Sequence, residues 1–210
     1  MHRHSSLDCE VASMDGIKAE AEALTGVLGE LAKELETLLK GRQRDTLSQP
    51  ERRMHVRSIS ATIEAFIYVW KQTALRAHPD PKCPAISEAE RAFAQEQEYR
   101  LADSGDIEIR RTKISLEANL RFAFKLLAKA CSVPFELDLS GSEWQSFRRA
   151  IKIRDRITHP KSVSDLNISD EDANDVSEGF GWFLISHVKL ATAIMVKTKS
   201  DMVNAKSEAG

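Results

Sequence analysis

The sequence predicts an all-α protein, folded as an antiparallel bundle of five to six helices. Apolar residues recur at three- and four-residue steps through most of the chain, which is the spacing of one face of a helix. Capping residues precede several of these segments, and the connections are short, so neighbouring helices must pack mostly antiparallel. No alternating apolar and polar pattern typical of a β-strand stands out, and we expect no sheet.

The first predicted helix extends from about Ile17 to Lys40 and carries a leucine-rich stripe. The second opens at Ser48, which has capping-box spacing to Glu51, and ends before Pro79. The apolar residues at helical spacing in the second are Val56, Ile59, Ile63, Phe66, Ile67 and Trp70.

Two more helices precede the connector CSVPFELDLSGS. Ser87 and Glu90 repeat the capping-box spacing and start a more polar helix through Arg100, which we expect to cover the edge of the bundle. A long helix is then predicted from Asp106 to about Ala130.

The fifth predicted helix begins at Ser142 and ends at His159, because Pro160 disfavours helical geometry in the residue before it. The last helix is capped by Ser169, has acidic residues in its first turn where the helix dipole favours them, and runs to about Lys197.

Composition and charge are those of an ordinary globular protein. Hydrophobic residues make up 42% of the 210 positions, charged residues make up 30%, and the formal net charge is -2. This excludes a protein coated in positive charge, although a local basic patch is enough to bind nucleic acid. Three widely spaced cysteines without a CxxC pair predict no disulfide framework and favour a reduced, cytoplasmic setting.

Both ends of the sequence are polar and aperiodic, which predicts flexible tails over residues 1–15 and 200–210 and a single helical domain over 16–199. We expect no signal peptide and no membrane helix, because no stretch reaches about 18 uninterrupted apolar residues. No metal is expected either, since a fourth ligand is missing beside His2, His4 and Cys9.

The fifth predicted helix departs from the pattern of the others. One face carries, at steps of three and four residues, Trp144, Phe147, Ile151, Arg154 and Thr158. An arginine thus stands on an apolar stripe, where its guanidinium must be paired, reach back to solvent or serve a function. The helix is also locally basic, with Arg148, Arg149, Lys152 and Arg156.

The segment IRDRITHP, from Ile153 to Pro160, resembles the motif of HEPN domains. In that motif an arginine followed by a polar residue precedes a histidine by four to six intervening positions, near the end of a helix inside a bundle. The preceding EWQSFRRAIKI, the following HPK and the ISDED start of the last helix are also similar. The resemblance is strongest from Gly141 to Trp182 and implies a HEPN-like core over about residues 50–197, to which the first helix is an addition.

The resemblance implies a metal-independent endoribonuclease of the toxin or host-defence kind, without a cofactor. The ribose 2'-hydroxyl attacks the neighbouring phosphate, and the protein supplies proton transfer and positive charge. Arg154 would hold the phosphate, His159 would transfer protons, and Asp155 would orient the histidine or the partner arginine. The implied RNA-binding residues are Arg148, Arg149, Lys152, Arg156 and Lys161.

A homodimer is also implied. One chain offers a single motif histidine, whereas the reaction needs both a base and an acid. HEPN domains commonly form two-fold dimers in which both motifs face a shared cleft. A toxin of this kind would further be expected to have an antitoxin or another partner protein.

Two other interpretations stay open. The chain could be a non-catalytic HEPN-like module that regulates a partner protein or senses a nucleotide. Alternatively it is an unrelated helical protein, in which Arg154 and Asp155 form a local ion pair and His159 only ends a helix. Glu64 stands where it could reach the site, and His187 is expected to be a core residue.

A cluster of arginines around the start of the second helix either widens an RNA surface or is merely solvated, namely Arg42, Arg44, Arg52, Arg53 and Arg57. The sequence contains no P-loop, dinucleotide-binding glycine motif, HExxH pair or GxSxG elbow, so ATPase, dehydrogenase, metalloprotease and serine hydrolase functions have no support.

Overall fold

The computed structural model describes residues 47–77 and 85–208, together with residues 26, 29, 30, 33 and 34. The described chain is mostly helical, so the predicted all-α bundle is confirmed. Its five helices are α1 (Gln49–Ala77), α2 (Glu88–Ala94), α3 (Leu116–Ala130), α4 (Ser142–Thr158) and α5 (Asp170–Glu208). A 3-10 turn lies between α4 and α5, over Val163–Leu166, and the two strands of a hairpin are β1 (Gln97–Leu101) and β2 (Ile107–Arg111).

The N-terminal part of the prediction cannot be followed in the same detail. The predicted tail over residues 1–15 lies outside the described residues. Of the predicted helix over residues 17–40, five positions are described, and all five are helical.

Helix starts follow the capping residues that the sequence predicts. At the start of α1, the Ser48 backbone N–H and hydroxyl both donate to the Glu51 carboxylate, at 2.9 and 2.7 Å. At α2 the capping box is complete, because the Ser87 hydroxyl also accepts the Glu90 N–H. At α5 the Ser169 hydroxyl accepts a first-turn N–H at 3.1 Å. These contacts satisfy N–H groups that the first turn of a helix leaves unpaired.

The hairpin replaces parts of two predicted helices, and the expectation of no sheet is wrong. The helix predicted through Arg100 ends at Ala94, and the one predicted from Asp106 begins at Leu116. In between, QEYRL and IEIRR pair antiparallel. Polar and apolar residues alternate in both segments, which suits strands, and Gly105 in the turn has a φ of 88°, a conformation that favours glycine.

The last helix is longer than predicted. α5 continues to Glu208, past the end expected near Lys197, so residues 200–208 are helical rather than an aperiodic tail. The physical reason is that no glycine or proline stands between Trp182 and Glu208 to end the helix.

The stretch Asp170–Ser200 of α5 is long and apolar enough to cross a membrane, judged by length and composition alone. In the fold, one side of this stretch belongs to the bundle core, where Val176, Phe183 and Leu190 are buried. The other side of the stretch is exposed and also carries apolar residues, among them Ile185, Val188 and Met195.

The core lies between α1, α3, α4 and α5. Near its centre, Trp70 of α1 meets Phe124 of α3 edge-on, with ring centroids 4.4 Å apart. His187 of α5 stacks on Trp70 at 5.1 Å, and burial lowers its pKa because it disfavours the charged imidazolium. His187 is half-buried and packs against the aromatic side chains at the edge of the core, so the predicted core position is met in part.

Helices α4 and α5 are in close backbone contact where Gly179 faces Phe147. A Cβ atom at Gly179 would lie 2.6 Å from the Phe147 Cα and 2.8 Å from its backbone nitrogen. One turn along the interface, the Arg149 guanidinium donates to both carboxylate oxygens of Asp175 at 2.7 Å. These contacts fix α4, the helix with the Arg–His motif, against α5.

Candidate functional site

The predicted motif lies at the C-terminal end of α4. The helix ends at Thr158, one residue before the predicted end at His159, and His159 is the capping residue, whose backbone N–H donates to the Asp155 carbonyl at 3.0 Å. The His159 side chain is exposed and makes no hydrogen bond to any described residue. Its imidazole can therefore accept or donate a proton without first breaking a contact within the fold.

Arg154 lies at the edge of the core, between α4 and α1. One terminal nitrogen donates to Asp155 Oδ1 at 2.9 Å, and the other donates to Glu64 Oε1 of α1 at 2.5 Å. Burial acts to lower the pKa of Arg154, but the hydrogen bond to Asp155 and the attraction of Glu64 raise it above its ordinary value. The guanidinium is thus charged and already paired, and Glu64 reaches the site as its position in the sequence indicated.

The side chains of Arg154 and His159 project from different sides of α4. A five-residue step turns an α-helix by about 140°, and Arg154 faces α1. His159 instead continues an exposed face that carries Arg148, Lys152 and Asp155 at steps of four, three and four residues. The side chain of Asp155 contacts Arg154, not His159. One chain thus presents a paired arginine and an unpaired histidine at the same helix end.

Two of the five predicted RNA-binding residues form ion pairs within the protein. Arg149 holds Asp175 through two hydrogen bonds. Arg156 donates to the Asp172 carboxylate at 2.8 Å and to the Asn167 carbonyl at 2.9 Å. Both guanidinium groups join α4 to the start of α5, so their charge is largely neutralised before any RNA approaches.

The other three predicted RNA-binding residues face solvent. Arg148 makes a longer contact with Glu117 of α3, at 3.3 Å. Lys152 and Lys161 are exposed, and their ammonium groups have no partner within the described ranges. These three cations, together with His159, form the surface of α4 and the following loop that a phosphate backbone could approach.

The loop after His159 is held by arginines of α1. Each of three guanidinium groups donates to a backbone carbonyl between the end of α4 and the start of α5, namely Arg57 to Ile157, Arg53 to Leu166 and Arg52 to Ile168. These contacts satisfy carbonyl groups that a helix end and a loop leave unpaired. The three arginines therefore position the loop. The remaining members of the sequence cluster, Arg42 and Arg44, lie outside the described residues.

The site is an open surface and not a closed pocket. Two clefts of about 250 Å³ each are lined by residues of α3, α4, α5 and the connector after α3, but not by Arg154 or His159. In the part of the chain that the structure describes, no three His, Cys, Asp or Glu side chains come together to hold a metal ion. An open basic surface suits a polymer better than a small molecule, which binds mostly in concave pockets.

Comparisons of the chain with protein-family models, with curated proteins and with solved structures find no match.

Proposed function

We propose that this protein is a HEPN-like, metal-independent endoribonuclease of the toxin or host-defence type, which acts in the cytoplasm as a homodimer. The observation that carries the proposal is His159, which is exposed and unpaired at the end of an exposed face with Arg148 and Lys152. Arg154 lies near the C-terminal end of the same helix, one turn before Thr158. These are the groups that the HEPN motif would use.

The reaction needs few parts. The 2'-hydroxyl gives its proton to a base as its oxygen bonds to the adjacent phosphorus. The bond from phosphorus to the 5'-oxygen breaks, and an acid donates a proton to that leaving oxygen. Histidine suits both proton transfers near neutral pH. In a two-fold dimer, His159 of one copy would act as the base and His159 of the second copy as the acid.

Arg154 would neutralise the charge that develops on the phosphate. Its guanidinium has five N–H donors, so its contacts with Glu64 and Asp155 leave others for a phosphate oxygen. The two carboxylates nevertheless place negative charge where a phosphate would bind. They hold the arginine in position, and they also weaken its attraction for RNA.

RNA cleavage in the presence of EDTA tests the proposal. Wild-type protein is expected to cut tRNA or a synthetic RNA, and His159→Ala and Arg154→Ala are each expected to reduce the rate at least about 100-fold. Arg100→Ala on β1 is the matched control, because it removes an exposed arginine of the hairpin that contacts neither the motif nor the exposed face of α4. Intact RNA with correctly folded wild-type protein would contradict the proposal.

Removing the negative charge of Glu64 is expected to strengthen RNA binding. Glu64→Gln should lower the dissociation constant for a non-cleavable RNA about fivefold, since one repulsive charge about 4 Å from a phosphate amounts to ~1 kcal/mol at the dielectric constant of water. Glu143→Gln removes the same charge from the opposite end of α4 and should leave the constant unchanged. Fluorescence anisotropy measures both. If wild type and Glu64→Gln bound the RNA with equal affinity, Arg154 would not be part of the RNA-binding site.

A second candidate function is a non-catalytic module that binds a partner protein or a nucleotide. The observation that favours it is that both terminal nitrogens of Arg154 already have carboxylate partners, on the side of α4 that faces α1. An arginine used in this way stabilises the fold. This candidate predicts association without turnover and no effect of His159→Ala on RNA.

A further inference from the structure

The β-hairpin has an outer edge with unused backbone groups. In an antiparallel ladder, hydrogen-bonded and non-hydrogen-bonded residue pairs alternate. The bonds from Ala102 N–H to the Asp106 carbonyl and from Thr112 N–H to the Glu96 carbonyl fix which pairs are bonded. The backbone groups of alternate β2 residues therefore point away from β1, namely those of Ile107, Ile109 and Arg111. Within the described residues these groups have no hydrogen-bond partner.

The side chains of the hairpin are exposed on both faces. One face carries four apolar residues in two cross-strand pairs, Tyr99 opposite Ile109 and Leu101 opposite Ile107. Ile107 is 74% exposed and Ile109 is 59% exposed. Two strands alone are marginally stable in water, and an exposed edge of this kind is a template for another strand.

The charges along β2 are complementary to those of a second β2 that runs antiparallel to it. Glu108 and Arg110 stand on either side of Ile109 and on the same face. A two-fold axis at Ile109 would place Glu108 of each copy opposite Arg110 of the other. The backbone N–H and carbonyl of Ile109 point outward, so the two Ile109 residues of the dimer would bond to each other through both hydrogen bonds. The two pairs of Glu108 and Arg110 would then occupy non-hydrogen-bonded positions, where side chains lie closer together.

We infer that β2 is a self-association surface, at which two copies of this chain pair their β2 strands antiparallel about Ile109 to form a four-stranded sheet. Two hydrogen-bonded positions flank the axis, where Ile107 of each copy meets Arg111 of the other. The Ile109 side chains lie next to each other on the apolar face. The contact is isologous, so by itself it joins two copies and no more. It rests on the hairpin residues alone and does not depend on ribonuclease activity.

Two charge-reversal variants of β2, measured separately and as a mixture, test this inference. Arg110→Glu makes the β2 edge acidic, and Glu108→Arg makes it basic, so each variant alone should repel its own copy. Sedimentation velocity at concentrations up to about 1 mM should give half the wild-type mass for each variant and the full wild-type mass for their equimolar mixture. The monomer mass is 23.5 kDa. Recovery in the mixture separates a lost contact from a lost fold.

Arg100→Glu is the matched control. It introduces a cross-strand repulsion within the hairpin, against Glu108, like the one that Arg110→Glu introduces against Glu98, and it keeps the ion pair between Arg110 and Glu108 within β2. It leaves the charges of the β2 edge unchanged, so it should keep the wild-type mass. The inference is overturned if the wild type is monomeric or if the two charge-reversal variants keep the wild-type mass. It is also overturned if their mixture does not recover that mass, or if the control Arg100→Glu loses association.

Discussion

Replacement of Gly179 by alanine is expected to lower the free energy of unfolding by about 3 kcal/mol. The new Cβ would lie 2.6 Å from the Phe147 Cα, which is a backbone atom of α4, and its own position is fixed by the backbone of α5, so no flexible side chain can move to make room. Helices α4 and α5 would have to separate. Urea unfolding followed by tryptophan fluorescence measures the change, because Trp144 and Trp182 lie near this interface.

Gly181 provides the control for this prediction. It lies two residues further along α5, and a Cβ there would meet nothing within 4 Å. Gly181→Ala should raise the free energy of unfolding by roughly 0.5–1 kcal/mol, through the higher helix propensity of alanine. If the two variants had the same stability, the close packing of α4 on α5 would be wrong, and so would the position of the motif helix.

Replacement of Glu96 by glutamine is expected to lower the free energy of unfolding by about 2–3 kcal/mol at neutral pH. Lys71 of α1 has a side chain that is 1% exposed, and its ammonium group lies 3.2 Å from Glu96 Oε1. Without the carboxylate, a buried positive charge would lack its counter-ion. Adding Lys71→Met to the glutamine variant should restore much of the loss, because an apolar side chain fits a buried site.

The contribution of Glu96 is also expected to depend on pH. The hydrogen bond from Arg111 lowers the pKa of Glu96, burial opposes this, and Lys71 lowers the pKa further. The ionised carboxylate therefore stabilises the fold above its unfolded pKa of about 4.3, and this stabilisation is lost as the pH falls through the folded-state value. Urea unfolding curves of wild type and Glu96→Gln should differ at neutral pH and converge in acid.

Replacement of Arg111, the exposed partner of Glu96, shows whether the stabilisation comes from the buried lysine or from any ion pair that Glu96 makes. The Arg111 side chain is 85% exposed, so Arg111→Gln should cost about 0.5 kcal/mol, as is usual for a surface ion pair. A loss as large as that of Glu96→Gln would show that the stabilisation does not come from the buried lysine.

The elements that the sequence predicted well are those with local signals. Ser48, Ser87 and Ser169 begin helices because their side chains bond to groups three residues away, and His159 ends one because proline follows. The hairpin was missed because each strand has only five residues, and Glu96 reverses the chain with a φ of 57° that is unusual for glutamate. Five alternating residues are too few to stand out from a helical pattern.

The pairings of the candidate site residues could not be predicted from the sequence. The position of Arg154 on the α4 stripe indicated a guanidinium at the core edge, and Glu64 is its counter-ion although the two are far apart in the sequence. A count of basic residues could not distinguish Arg149 and Arg156, which join α4 to α5, from Lys152, which faces solvent. Such differences depend on which helices become neighbours in the fold.

Analysis of the RNA ends produced in EDTA tests the central proposal most directly. The transphosphorylation mechanism predicts fragments with 2',3'-cyclic phosphate and 5'-hydroxyl ends, because the 2'-oxygen attacks the phosphorus and the 5'-oxygen leaves. It also predicts that an RNA with a single 2'-deoxy substitution at the cut position stays intact there, and that His159→Ala yields no such fragments. Fragments with 3'-hydroxyl ends, or cleavage unchanged by His159→Ala, would contradict the account.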